Sequence, residues 1–272
     1  MTAQALAVRH AHDASQTVQM IKNFRNLRSK NKLSIGELDL ATEAALLSLH
    51  TSFETFVREL YLECAIGAAG MAGVRSRLRA ATPEEAQALI AGDRQFLEWL
   101  PVTKTVDRAL VHLRAGQPFV RLWGRQQILR HLDLMQVVRN RVAHSGEQAQ
   151  RIYERQVSKG DVGFDRPARW LLHAPAGKTN FEFMAEATIA ACKDLSADSR
   201  TPQMLGPAVA TGGQRAAPGT YRCEGCQRIQ HLREWGVIQS CPHCAKTTKC
   251  LACARVNATA SKWTLEALKA VR

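Results

Sequence analysis

Between Ser34 and Cys64 the chain carries a pattern that admits few folds. Ser34-Ile35-Gly36-Glu37 has the form of a capping box, in which the first side chain and the fourth close the start of a helix on each other. Downstream, Leu46, Leu49, Phe53, Phe56, Leu60 and Cys64 recur at steps of three and four, which is one stripe along a helix running to about Cys64. A helix with one long apolar stripe must bury it. The spacing suits a domain core or a seam between subunits, and most of it is read here as core.

The neighbouring segments supply further helices. Asp13 or Ser15 can open one through Val18, Ile21 and Phe24, and Thr82-Pro83-Glu84-Glu85 joins an N-cap, a proline and an acid at their preferred positions. Val106, Leu110 and Leu113 mark another, stopped by Gly116. Ile128, Leu132, Met135 and Val142 define a helix ending near residue 142, and Ser145-Gly146-Glu147-Gln148 reads as the cap of one reaching about Val157. Gly160–Gly177 reads as a loop with room for a hairpin around Trp170-Leu171-Leu172, and Phe181–Leu195 as the last helix of a domain covering residues 1–198. Residues 199–220 are rich in Gly and Pro and read as a linker. Residues 221–272 form a small module with an amphipathic helix from Lys262 to Val271. No run of about 18 apolar residues exists, so no membrane span is expected. Nothing resembling an export signal opens the chain, so the expected location is cytoplasmic.

Arg139-Asn140-Arg141-Val142-Ala143-His144 is the stretch with the most chemistry. It places a permanent cation, an amide and an imidazole within six residues. Guanidinium can grip a phosphate through two hydrogen bonds, and imidazole can give and take protons near neutral pH. On a straight helix Arg139 and His144 stand roughly 140° apart and cannot share a face. Either the helix unwinds by His144, or a two-fold dimer brings two copies of the motif into one cleft. The formal charge of +13, from 37 Lys/Arg against 24 Asp/Glu, favours a polyanionic partner such as nucleic acid. Arg121, Arg125 and Arg130 add to the basic character around the motif.

An arginine-asparagine followed by alanine-histidine, placed after an apolar helix in a helical domain, resembles the HEPN superfamily with its R-x(4–6)-H motif. The run His50-Thr51-Ser52-Phe53-Glu54-Thr55-Phe56-Val57-Arg58-Glu59-Leu60 is similar to HEPN proteins of the bacterial conflict-system type. The resemblance covers roughly residues 15–198. It implies a helical bundle and a metal-independent endoribonuclease active as a homodimer, in which the RNA 2′-hydroxyl attacks the adjacent phosphate. Arg139 and His144 match the two defining positions and Asn140 the polar one. His144 is then expected in proton transfer, Arg139 in stabilising the phosphorane, and Asn140 in holding His144 or the phosphate. A toxin or phage-defence role, with an antitoxin or other regulatory partner, belongs to the same expectation.

Eight cysteines could suggest disulfides, but six of them form three C-x-x-C pairs between residues 223 and 253. Cys223-x2-Cys226 and Cys241-x2-Cys244 have the spacing of a tetrahedral zinc site, and they resemble a zinc ribbon. A module this small lacks core, so a structural zinc ion would supply folding energy. The third pair, Cys250 and Cys253, either replaces one of these pairs or joins His231 or His243 at a second metal. Cys64 and Cys192 stand alone and read as small core residues. Residues 199–272 hold 11 Lys/Arg and 3 Asp/Glu, so the ribbon suits contact with nucleic acid or a partner protein. The expected architecture is therefore mostly α: a HEPN-like helical bundle followed by a zinc ribbon. The alternative function is a non-catalytic HEPN scaffold whose ribbon binds nucleic acid or protein.

Purified protein is expected to carry one zinc ion per chain, and Cys223→Ser to lower that ratio in elemental analysis. Full zinc retention in the Cys241→Ser/Cys244→Ser variant would move the ligand set to the Cys250 pair.

Overall fold

The computed structural model describes residues 1–197, except 72 and 176, and beyond them the residues of six short strands between 209 and 268. The chain divides into two compact units, Met1–Arg200 and Thr201–Arg272.

The first unit is helical, and its centre is α2 (Ile35–Ala65). The capping box forms: Ser34 Oγ accepts from the Glu37 N–H at 3.2 Å, and Glu37 Oε2 accepts from the Ser34 N–H at 2.7 Å. All six members of the expected stripe are buried within the single chain, so the stripe is core. His50, Val57 and Tyr61 are buried as well, because α2 is flanked by α1 (Ala3–Ser29), α3 (Pro83–Ala91), α5 (Gln126–Ala143), α7 (Pro167–Leu172) and α8 (Asn180–Ser196). α4 (Val102–His112) and α6 (Glu147–Tyr153) complete the set. Cys64 and Cys192 are buried free thiols, as expected of core residues. Among the described residues no helix is long and apolar enough to cross a membrane.

Two expectations for this unit are corrected. α1 starts at Ala3, not near Asp13, because Thr2 caps it by accepting from the Ala5 N–H. Its first turns are buried through the small and polar residues Ala3, His10 and Ala14 as well as Leu6, which an apolar-periodicity reading passes over. Trp170-Leu171-Leu172 lies in α7 rather than a hairpin, with Pro167 at its first position.

The second unit contains a four-stranded antiparallel sheet ordered β1-β6-β3-β4, from β1 (Val209–Thr211), β3 (Gly219–Cys223), β4 (Ile229–Leu232) and β6 (Lys262–Leu268). β2 (Arg215–Ala216) pairs with β5 (Gly236–Val237). The stretch read as a linker thus contributes strands. The stretch read as a terminal helix is strand β6, where Trp263, Leu265 and Ala267 alternate with Thr264 and Glu266 at the period of a strand. Cys223 is the last residue of β3, which pairs antiparallel with β4. Cys226, Cys241, Cys244, Cys250 and Cys253 lie outside the described residues.

Where α1 crosses α2, a part-buried polar relay stands beside the apolar packing. His10 Nδ1 meets Ser52 Oγ at 3.0 Å, and Ser52 Oγ donates to Asp13 Oδ2 at 3.2 Å. The ring packs against Phe53 and Phe56. Burial pulls the His10 imidazole down to about 4, against the opposing Asp13 charge. The folded state therefore holds His10 neutral, while the unfolded chain protonates it near 6.5. Stability is full above about pH 6.5 and falls as pH drops toward 4, by up to about 1.4 kcal/mol per pH unit for this one proton. Urea unfolding across that window should show a shallower pH slope in His10→Gln. An unchanged slope would mean that His10 is charged in the folded protein.

Candidate functional site

The motif sits at the C-terminal end of α5. That helix buries Leu129, Leu132, Met135 and Val138. Arg139 lies on the same side of the helix, four residues after Met135, and is half-buried there, as is Val142. Asn140 is also half-buried, and His144 is exposed. The helix ends at Ala143. His144 is extended, with φ −131° and ψ 122°, and its N–H closes the last turn on the Asn140 carbonyl at 3.0 Å. The backbone thus leaves the helical path at His144, which is the unwinding that the first of the two arrangements requires.

Asn140 joins the motif together. Its Oδ1 accepts from Arg139 NH1 at 3.2 Å and from Gln136 Nε2 at 3.2 Å, while its main-chain carbonyl holds His144. Arginine has only donors, so the amide oxygen must face it. Gln136 in turn uses Oε1 to accept from His50 Nε2 at 2.8 Å. The result is a continuous chain from buried His50 on α2 to the Arg139 guanidinium. Burial holds the His50 imidazole below the ordinary histidine value; the Arg139 charge pushes the same way, and the Gln136 bond and the Glu54 charge oppose. A neutral His50 bearing its proton on Nε2 fits every bond in the chain. Among the described residues Arg139 has no ion pair, so its charge is held in place without being neutralised.

The other cations of the basic stretch are differently employed. Arg121 NH1 donates to the carbonyls of Asp194 at 3.1 Å and Ala197 at 2.6 Å, and Arg125 Nε pairs with Asp194 Oδ2 at 2.7 Å. Both tie down the C-terminal end of α8, where the helix carries its negative pole. Arg141 acts on Glu43 and Tyr153. Burial raises the Glu43 carboxyl, with Arg166 and Arg141 opposing. Charge counting along the sequence places all these arginines in one basic surface, whereas the structure engages Arg121 and Arg125 at the end of α8 and leaves Arg130, Arg139 and Arg141 without an ion pair among the described residues.

Asn140 was expected to hold His144 or a phosphate. Its side chain holds Arg139 instead, and its backbone holds His144. His50 and Gln136 were not expected at the site. Gln136 and Asn140 are four residues apart on one helix, a spacing at which amides meet. The link to His50 depends on how α2 packs against α5, and no local pattern announces it. Compared with family models, with curated proteins and with solved structures, the chain matches none.

Removing the middle of the relay leaves a buried His50 donor without its acceptor. Gln136→Ala should cost about 1–3 kcal/mol in urea unfolding. In a double-mutant cycle with His50→Ala the two effects should be coupled by about 0.5–3 kcal/mol, and simple additivity would mean that the bond is not formed in solution.

Proposed function

We propose that this chain is an endoribonuclease of HEPN-like architecture that cleaves RNA without a metal ion at its reaction site. What carries this reading is the end of α5: a half-buried guanidinium fixed by an amide but not neutralised, followed five residues later by an exposed histidine whose backbone has left the helix. The 2′-oxygen attacks the adjacent phosphorus and gives its proton to an imidazole. The bond to the 5′-oxygen breaks, and that oxygen takes up a proton. The products are a 2′,3′-cyclic phosphate and a 5′-hydroxyl end. Arg139 stabilises the charge on the phosphorane, and His144 carries protons.

One imidazole per chain supplies one proton-transfer group, whereas the reaction uses a base on one side of phosphorus and an acid on the other. A homodimer with two α5 ends in one cleft supplies both. In the same proposal, a structural zinc ion held by Cys223, Cys226, Cys241 and Cys244 folds the second unit, which brings RNA or a regulatory partner. The spacing of these two C-x-x-C pairs supports this, and the first of them begins at Cys223, the last residue of β3. A toxin or phage-defence role, restrained by a partner, fits such an activity.

The test is incubation with RNA in the presence of EDTA. His144→Ala should lower the cleavage rate by about 10²–10⁴, and Arg139→Ala should fall comparably. Arg139→Lys should rescue poorly, since an ammonium cannot reproduce the two-pronged guanidinium contact. Light scattering should give a dimer. Wild-type cleavage by His144→Ala, or equal cutting of a strand lacking the 2′-hydroxyl, would overturn the reading in favour of a non-catalytic scaffold.

A further inference from the structure

A groove along α2 has a lining that the proposed reaction does not use. It has a volume of about 350 Å³ and lies between α2 and the segment after α3, lined by Thr55, Arg58, Gln87, Gln95, Phe96 and Trp99. Its floor is rigid: Trp99 is buried, packs on Tyr61 with ring centroids 5.2 Å apart, and has the Arg108 guanidinium 5.0 Å from its ring centre. Its rim is different. Phe96 is 84 % exposed, so its ring has been left in water where burial would be favourable. Among the described residues, the side chains of Arg58, Gln87 and Gln95 have no hydrogen-bond partner and Arg58 no ion pair.

The groove's position links it to the motif. His50, Glu54 and Arg58 are spaced four apart on α2 and form one row on its surface. His50 is the buried start of the relay to Arg139, and its imidazole is subject to both the Glu54 and the Arg139 charges. Glu54 lines the groove. Arg58 lies roughly 12 Å from His50 along the helix axis, a span that a single strand covers in a few nucleotides.

We infer that this groove is a nucleotide subsite for the single-stranded RNA cleaved at the Arg139–His144 site, an inference that rests on the ribonuclease reading. The base stacks on Phe96, as bases do on exposed aromatic rings in single-strand-binding proteins. Gln87 and Gln95 offer paired donors and acceptors to the base edge. Arg58 takes the phosphate. Glu54 is the acidic lining residue among those described, and it repels phosphate. It accepts instead from an exocyclic amino group, so the subsite favours a base that carries one. A second protein would find here an isolated ring among amides and a cation, a poor match to the apolar centre of a protein interface.

The probe is a short fluorescent single-stranded RNA, 2′-O-methylated throughout so that it cannot be cut, with binding read by anisotropy. Phe96→Ala should weaken binding roughly 5- to 150-fold, the range that loss of one base–aromatic stack supports. Phe96→Tyr should bind like the wild type, and Phe96→Leu as poorly as Phe96→Ala. Arg58→Ala should weaken binding and flatten its logarithmic salt dependence by about 0.7. The ring is exposed, so these variants should fold. Wild-type affinity in Phe96→Ala, equal affinity in Phe96→Leu and Phe96→Tyr, or no binding by the wild type would overturn the subsite. The two readings fail separately. A wild type that binds this probe with the Phe96 pattern, yet leaves the unmethylated strand intact, keeps the subsite and removes the ribonuclease. Cleavage lost in His144→Ala, with binding indifferent to Phe96, does the reverse.

Discussion

Helix α2 takes residues out of water around a wide arc, from Leu46, Leu49, Phe53 and Phe56 to His50, Val57 and Tyr61. Polar groups carried inside are costly without a partner, which the buried Tyr61 hydroxyl lacks among the described residues. The arc has two borders, and each border has a relay. Ser52 stands at one, bonded to His10 and Asp13 of α1. His50 stands at the other, bonded to Gln136 of α5. The two residues are about 160° apart around the helix axis. Apolar burial makes the core, and the two relays set how α1 and α5 seat against it, since a hydrogen bond has direction and an apolar contact does not. The second relay ends at Asn140, so the position of the motif is tied to the packing of the central helix.

Much of this could be read along the chain. The capping box at Ser34, the stripe to Cys64, the cap at Thr82 and the helix leading to His144 are local signals, each decided by residues a few positions apart. The motif residues were visible for the same reason. What the sequence hid depends on contacts between distant segments. His50 reads as one more member of a long helix until α5 supplies its acceptor 86 residues away. Arg121 and Arg125 read as part of a basic surface until the end of α8 reaches them. α1 runs back to Ala3 because small residues and a buried histidine, rather than large apolar ones, fit its crossing with α2. The segment from Lys262 has apolar residues that suit either period over so short a run, and pairing with β3 and β1 decides for strand.

The proposed chemistry and the proposed subsite divide the labour of α2. One border of its buried arc anchors the group that is to meet phosphate, and the row climbing from that border reaches the exposed face with Glu54 and Arg58. A strand lying along this row would be fixed at two points by one rigid element. Orientation of a reacting group is gained most cheaply in that way, because the helix is already ordered before the ligand arrives.

The choice of an amide at position 140 has a consequence beyond the bonds it makes. A carboxylate there would grip Arg139 more strongly through a charge-assisted bond, and would also cancel the positive charge. An amide carries a dipole and no net charge. It can fix where the guanidinium points while leaving its full charge for an incoming anion. Aim and charge are thus set by different residues, and the neutral partner separates the two.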